Sequence, residues 1–154
     1  MKVISNSSPI ILLSKVGRLH ILQALYKEIV IPEAVYKEVF EFRQEIEKPE
    51  WIKVKNISDK SAGRFLVSSL GPGESEAIVL ALESKSDLLL LDDYRARNYA
   101  NSVGLKITGT AGILVDARDK GIIDKVKEVL DALIKSDYRI SESLYQAVIK
   151  KAGE

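Results

Sequence analysis

The chain has 154 residues, 46% of them apolar, and its 23 basic and 22 acidic side chains leave a net charge of +1. This composition predicts one folded domain, residues 1–154, and argues against both a disordered chain and a strongly basic protein that coats nucleic acid. Because there is no cysteine, disulfides, cysteine zinc sites and thiol catalysis are excluded. The chain has a single histidine, His20. No run of about 18 apolar residues and no signal peptide is present, so we expect a cytoplasmic protein without a membrane span.

Short apolar strands alternate with helical segments along the whole chain. Strands are predicted at Val3-Ile4, 28–32, 51–57, 87–93 and in "LKITG" at 105–109. Helices are predicted at 9–14, 18–25, 33–47, 59–69 with Ser58 as the N-cap, 74–84, 94–102, 111–120, 124–135 and 141–151. This alternation predicts an α/β fold whose mostly parallel sheet is covered by helices on both faces. The segment 51–57 is expected at a sheet edge, and residues 136–154 form a C-terminal helical extension.

Polar residues follow three of the predicted strands. Asn6 follows the first strand, Asp92 and Asp93 follow the apolar run "LLLL", and Thr108-Gly109-Thr110 ends the last strand. Because parallel strands end at a common edge of the sheet, these three groups are expected to meet there.

Helical periodicity selects Glu74 and Glu38 as acids that face inward. Glu74 lies on the stripe formed by Ala77, Ile78 and Ala81, whereas Glu76 points away. An ionised carboxylate on a buried face needs compensation, and a cation or the dipole of the first helical turn can supply it. Glu38 lies at the border of the stripe of helix 33–47, so it can face inward or remain a solvated border residue.

Asp92 and Asp93 are adjacent and therefore point to different sides of the chain. We expect Asp92 to enter the site and Asp93 to cap the following helix or to serve as a second ligand. The predicted cluster is thus Asn6, Glu38, Glu74, Asp92 and Asp93. Crowded carboxylates repel one another, and oxygen ligands suit Mg²⁺ or Mn²⁺, which favours metal-assisted phosphodiester hydrolysis.

Five stretches of the sequence, in this order and spacing, resemble the PIN-domain family. They are "VISNSSPIILLSKVGRL", "IVIPEAVYKEV", "GPGESEAIVLALES", "LLLLDDYRARNYANSVGLKITGTAGIL" and "DKGIID". Within the family they resemble the stand-alone prokaryotic members related to VapC-type toxin ribonucleases, and the resemblance covers roughly residues 1–135.

The resemblance implies a Rossmann-like α/β/α sandwich and a Mg²⁺- or Mn²⁺-dependent endoribonuclease. It implies catalytic roles for Glu38, Glu74 and Asp92, with Asn6 and Asp93 as further metal ligands. Ser7, Thr108 and Thr110 are predicted to orient water or phosphate, although both threonines could instead cap helix 111–120. The family's usual first residue is Asp, so Asn6 offers only a neutral carbonyl oxygen, which predicts weaker metal binding or a need for substrate phosphate to complete the site. Asn is nevertheless common here in the branch that the chain resembles.

Contacts to RNA are less specific in the sequence. Lys15, Arg95 and Arg97 are predicted phosphate contacts, and Tyr94 and Tyr99 could stack on bases, but solvated surface charge and ordinary packing are open alternatives.

Two functional classes compete with the nuclease hypothesis. The first is a catalytically degenerate PIN fold that binds RNA or protein without cleaving. The second is a receiver-like phosphotransfer protein, which the lack of an acid after the first strand disfavours. The expected partners are RNA, an antitoxin protein and a second copy of the chain, since helices 124–135 and 141–151 carry apolar stripes that could instead pack in the core.

Overall fold

The computed structural model describes all residues, 1–154, as five strands and nine helices in alternation. The strands are β1 (Val3–Ser5), β2 (Ile29–Ile31), β3 (Ile52–Val54), β4 (Leu88–Leu90) and β5 (Ile107–Thr108). The helices are α1 (Ser7–Lys15), α2 (His20–Tyr26), α3 (Glu33–Tyr36), α4 (Lys60–Val67), α5 (Pro72–Ser84), α6 (Tyr94–Ser102), α7 (Thr110–Asp119), α8 (Val126–Lys135) and α9 (Glu142–Lys151). Helix α3 continues directly as a π-helical segment, Lys37–Glu41.

The sheet is parallel throughout, in the order β3-β2-β1-β4-β5, which confirms the predicted sheet and the edge position of β3. Side chains of successive strand residues enter two separate cores. Leu88 and Leu90 pack with α1, α2, α7, α8 and α9, whereas Leu89 and Leu91 pack with α4, α5 and α6. The fold is therefore a three-layer α/β/α sandwich, and the run "LLLL" is buried on both faces as expected.

Two details of the predicted helices are wrong. The helix expected at 33–47 ends at Glu41, because the N–H of Phe42 bonds to the carbonyl of Lys37 in a π turn. A π turn adds one residue and rotates the chain that follows, so Phe42 is 70% exposed instead of continuing the apolar stripe. The N-cap of α4 is Asp59, whose carboxylate accepts from the N–H of Ala62, while Ser58 gives its own N–H to Glu83.

The C-terminal segment packs back on the body of the domain. Val148 and Ile149 of α9 are buried in the larger core, and Ser141 caps the helix through the N–H of Leu144. The Glu154 carboxylate accepts hydrogen bonds from the N–H groups of Val126 (2.7 Å) and Lys127 (2.9 Å), and thereby caps α8. No helix is long and apolar enough to cross a membrane.

Candidate active site

The site lies where the order of the strands reverses. The chain runs from β1 outward to β2 and β3, then crosses back to β4 on the other side of β1. The carboxyl ends of β1 and β4 are neighbours, and the N–H of Asn6 donates to the carbonyl of Leu90 at 3.0 Å. Ligands of open parallel sheets bind at such a reversal. Asn6 and Asp92 are held there by adjacent strands.

The Asn6 side chain is buried but poorly satisfied. Only 1% of Asn6 is exposed, and its Nδ2 lies 3.5 Å from Glu74 Oε1, at the limit of a hydrogen bond. Its Oδ1 is buried and accepts no hydrogen bond. A buried amide oxygen without a donor costs free energy, so this atom is suited to a bound water or cation.

Glu38 approaches Asn6 from the π-helical segment. The hydroxyl of Ser7 donates to Glu38 Oε2 at 2.5 Å. A Cβ placed on Gly73 would stand 2.8 Å from both Glu38 oxygens and 3.1 Å from Asn6 Oδ1. Three acceptor oxygens thus converge over Gly73 at the start of α5, where only a hydrogen atom fits.

Glu74, Asp92 and Asp93 line a common cavity of about 460 Å³, which we call the acidic cavity. Its other walls come from α1, the chain after the π turn and the α8–α9 connection: Ser8, Ile11, Leu12, Arg43, Asp137, Tyr138 and Arg139. Glu38 lies outside it, in a smaller cavity with Pro72 and Glu76. Asn6 lies near both groups of carboxylates, because its Nδ2 reaches Glu74 while its Oδ1 and the two Glu38 oxygens all lie close to Gly73.

Asp92 is fixed by two hydrogen bonds across the sheet. The N–H of Thr110 donates to Oδ1 at 2.7 Å, and the Thr110 hydroxyl donates to Oδ2 at 2.6 Å. Burial raises the pKa of Asp92, although these hydrogen bonds and the nearby Arg97 guanidinium act in the opposite direction. Asp92 is therefore a positioned carboxylate whose charged form is costly without a cation.

The remaining acids at these elements have structural partners. Asp93 caps α6 by accepting from the N–H of Ala96 at 2.9 Å, while it also lines the acidic cavity. Glu76 accepts the N–H of Ala34 in the first turn of α3, and Glu83 accepts the N–H groups that precede α4. Glu74, by contrast, has only the weak contact with Asn6, so its carboxylate remains available.

The two predicted hydroxyl residues of β5 and α7 do not cap α7. The N-cap position of α7 is Gly109, so no side chain caps the helix there. The Thr110 hydroxyl instead donates to the Asp92 carboxylate. The Thr108 hydroxyl lies 3.5 Å from the Gly109 carbonyl. Capping, the alternative interpretation of Thr108 and Thr110, is therefore wrong.

The predicted basic contacts are dispersed. Lys15 lies beside a different cavity with Arg43 and Glu45, and Arg95 does not line the acidic cavity. Arg97 donates to the carbonyl of Leu91 at 3.0 Å, close to Asp92. Arg43, Tyr138 and Arg139 also line the acidic cavity. Sequence patterns do not identify them as site residues, because they belong to connections that reach the site only in the folded chain.

The candidate ligand atoms are of the chemical type that a hard divalent cation prefers. Every candidate ligand is a carboxylate or amide oxygen, and the unbonded Asn6 Oδ1 calls for a positive partner. No group of three acids or histidines is nevertheless close enough to enclose one ion. Glu38 is held by Ser7 and Asp92 by Thr110, and these two carboxylates line different cavities. Among the four acids, Glu74 is the least restrained by its hydrogen bonds.

The close approach at Gly73 gives a testable prediction. Gly73→Ala is expected to push the Glu38 carboxylate away from Asn6 and to lower Mn²⁺ affinity at least about tenfold, as loss of a supporting contact in a metal site does. Isothermal calorimetry measures this. The matched control is Ser75→Ala in the same helix, which removes a buried hydroxyl without a partner and should leave binding unchanged. Equal Mn²⁺ affinity in both variants would contradict the prediction.

Fold and site together define an α/β protein with an acidic cavity at the reversal of a parallel sheet. The family model described as DUF3368: PIN domain matches residues 2–154, so the chain belongs to this PIN-domain family. PIN domains are generally nucleases and usually use divalent metals, which gives the chain a nuclease fold. No curated protein is significantly similar to it.

Proposed function

We propose that this protein is a Mg²⁺- or Mn²⁺-dependent endoribonuclease of the cytoplasm. The observation that carries the proposal is the shared cavity of Glu74, Asp92 and Asp93 beside the unbonded oxygen of Asn6, at the reversal of the sheet. The reaction adds water across a P–O bond of RNA, so that one fragment keeps the phosphate and the other receives a hydroxyl group.

Each side chain has a role that follows from its contacts. Glu74, Asp92 and Asp93, which share the acidic cavity, and Asn6 beside Glu74 are the oxygen donors that would hold the metal, while Glu38 would contribute from the neighbouring cavity on the far side of Gly73 only if the carboxylates move closer on binding. The bound ion would polarise the phosphoryl oxygen and make an attacking water more acidic. Thr110 holds Asp92 in place. Ser7 holds Glu38.

Removal of the metal tests the proposal. Cleavage of a mixed RNA substrate is expected with added Mn²⁺ or Mg²⁺ and should disappear with excess chelator. Glu74→Gln should lower the rate by about 100-fold or more, since Glu74 is the least restrained of the three predicted acids in the cavity. Glu50→Gln is the matched control, because this exposed acid precedes β3 at the amino-terminal edge of the parallel sheet, opposite the site. Cleavage that persists in chelator, or in Glu74→Gln, would contradict the proposal.

A second candidate is a PIN fold that binds RNA or protein without cleaving. The specific observation in its favour is Asn6, which brings no charge to the place where an acid is usual, together with the lack of three converging acids. Binding of RNA without cleavage under every metal condition would favour this candidate.

The narrower proposal is that the protein is a VapC-type toxin that an antitoxin controls, and that it forms a homodimer. The apolar stripe expected to mediate dimerisation is mostly buried within the chain, because Val126, Leu130, Leu133 and Val148 belong to the core. Leu144 is the exception, with 49% exposed. Light scattering of the purified chain would test the dimer, and co-purification with a small co-expressed protein would test the antitoxin.

A further inference from the structure

A second cavity adjoins the acidic cavity on the side of β5. It measures about 590 Å³ and lies between α6, β5, α7 and α9, and we call it the tyrosine cavity after Tyr94 and Tyr138 in its wall. Asp92, Tyr138 and Arg139 line both cavities, so the two spaces meet at these residues. A chain molecule bound across both would therefore pass Asp92.

The charges of the tyrosine cavity favour an anionic ligand. Arg97, Arg139 and Lys151 line it, against the two acids Asp92 and Asp116. None of the three forms an ion pair, but Arg97 already donates to the Leu91 carbonyl beside Asp92, so Arg139 and Lys151 are the free cations. Arg139 is moreover exposed, and its planar guanidinium is the group best shaped to bind a phosphate.

The walls of the cavity favour a flat, partly apolar ligand. Tyr94 lies at the first turn of α6, and 76% of its surface is exposed. Its ring is therefore not part of the packed core. Tyr138 is half-buried opposite the N-terminus of α7, and Ile107, Val115 and Leu144 supply apolar surface. Aromatic side chains beside unpaired cations are the surface on which proteins stack single-stranded bases. Tyr99, the other tyrosine of α6, packs against the smaller core instead.

Size also agrees with a single nucleotide. Pockets that enclose small molecules measure roughly 300–1,000 Å³, and this cavity lies within that range. A base in a duplex is stacked and paired, so it can enter such a cavity only after it leaves the helix.

We infer that the tyrosine cavity binds one unpaired ribonucleotide next to the cleaved phosphate, with its base against Tyr94 and its phosphate on Arg139. This inference rests on the proposed nuclease function and makes the cavity the element that selects the nucleotide beside the cleavage position. Tyr94 and Arg139 are exposed, so their replacement should leave the fold intact.

The test measures binding without cleavage. The complete chain is titrated in chelator against fluorescein-labelled single-stranded oligoribonucleotides of A, C or U and against an RNA duplex, with fluorescence anisotropy as the readout. We expect single strands to bind more tightly than the duplex. Tyr94→Ala should weaken binding by roughly 5- to 100-fold, whereas Tyr94→Phe should retain it. Arg139→Gln should lower the slope of log affinity against log salt by about 0.7, the loss of one phosphate contact to a single strand.

Two exposed residues of α4 provide matched controls. Phe65 is 77% exposed, and Arg64 precedes it; neither lines a cavity at Asp92. Phe65→Ala and Arg64→Gln should bind like wild type. Absent binding, equal binding of duplex, or equal effects of Tyr94→Ala and Phe65→Ala would overturn the inference.

Failure of the inference is distinguishable from failure of the nuclease proposal. Binding that depends on Tyr94 and Arg139, without cleavage in Mn²⁺, would reject the nuclease alone and leave the nucleotide site. Mn²⁺-dependent cleavage with unchanged affinity and unchanged site preference in Tyr94→Ala would reject the nucleotide site alone.

Discussion

Asp92→Asn is expected to lower the rate of RNA cleavage by at least about 100-fold and to leave the folded state as stable as wild type or more stable. The loss of rate follows from removal of a charged donor at the junction of the two cavities. The stability follows from local contacts, because asparagine can still accept from the N–H of Thr110 and can donate to its hydroxyl.

The difference in stability between wild type and Asp92→Asn should change with pH in a defined direction. The pKa of Asp92 is higher in the folded chain than its ordinary value of 3.8, chiefly because of burial. Such a group destabilises the folded state at pH values above both pKa values, and the penalty disappears as the pH falls through the folded-state pKa toward 3.8. Wild type should therefore gain stability relative to Asp92→Asn when the pH is lowered from neutral.

Thermal unfolding in chelator at several pH values measures the stability, and a cleavage assay in Mn²⁺ measures the rate. Asp124→Asn, at an exposed turn before α8, is the control and should change neither quantity. A rate equal to wild type would remove Asp92 from the catalytic site. A large loss of stability would show that its role is structural.

Local patterns were sufficient to predict the sheet and to distinguish Glu74, which lines the acidic cavity, from Glu76, which does not. Unbroken apolar runs between polar ends indicate strands buried on both faces, and helical spacing separates Glu74 from Glu76 before any coordinates are known. The structure agrees at Glu76, which turns away to bind the N–H of Ala34 in α3. These features depend on residues a few positions apart, where geometry is nearly fixed by the type of element.

Features that depend on distant contacts could not be predicted in the same way. The π turn at Lys37–Glu41 has no simple signal in the sequence, yet it positions Glu38 and turns Phe42 into solvent. Arg139 and Tyr138 lie beside Asp92 only because the chain after α8 returns to the ends of the strands. Which carboxylate oxygen meets Thr110 likewise depends on the pairing of β4 with β5.

Asn6→Asp is expected to have the second large effect. It should lower the stability of the metal-free protein and increase the stabilisation that a bound metal provides. Asn6 is 1% exposed and lies against Glu74 and the carboxylate of Glu38. A third carboxylate in this place is buried beside two like charges, so the metal-free variant should lose several kcal/mol of stability. A divalent cation compensates these charges, and each added charged ligand increases the affinity for it.

The expected observation is a lower melting temperature than wild type in chelator and a larger rise with Mn²⁺, by the linkage of binding to folding. Asn56→Asp, an exposed residue after β3, is the control and should respond to Mn²⁺ like wild type. If Asn6→Asp also cleaves RNA much faster, the wild-type chain is a weakened enzyme. If cleavage is unchanged while metal binds more tightly, the neutral oxygen of Asn6 already suffices for the reaction. A variant that is destabilised in chelator and is not rescued by either metal would show that no cation binds between Asn6, Glu38 and Glu74, and the metal-dependent mechanism would have to be abandoned.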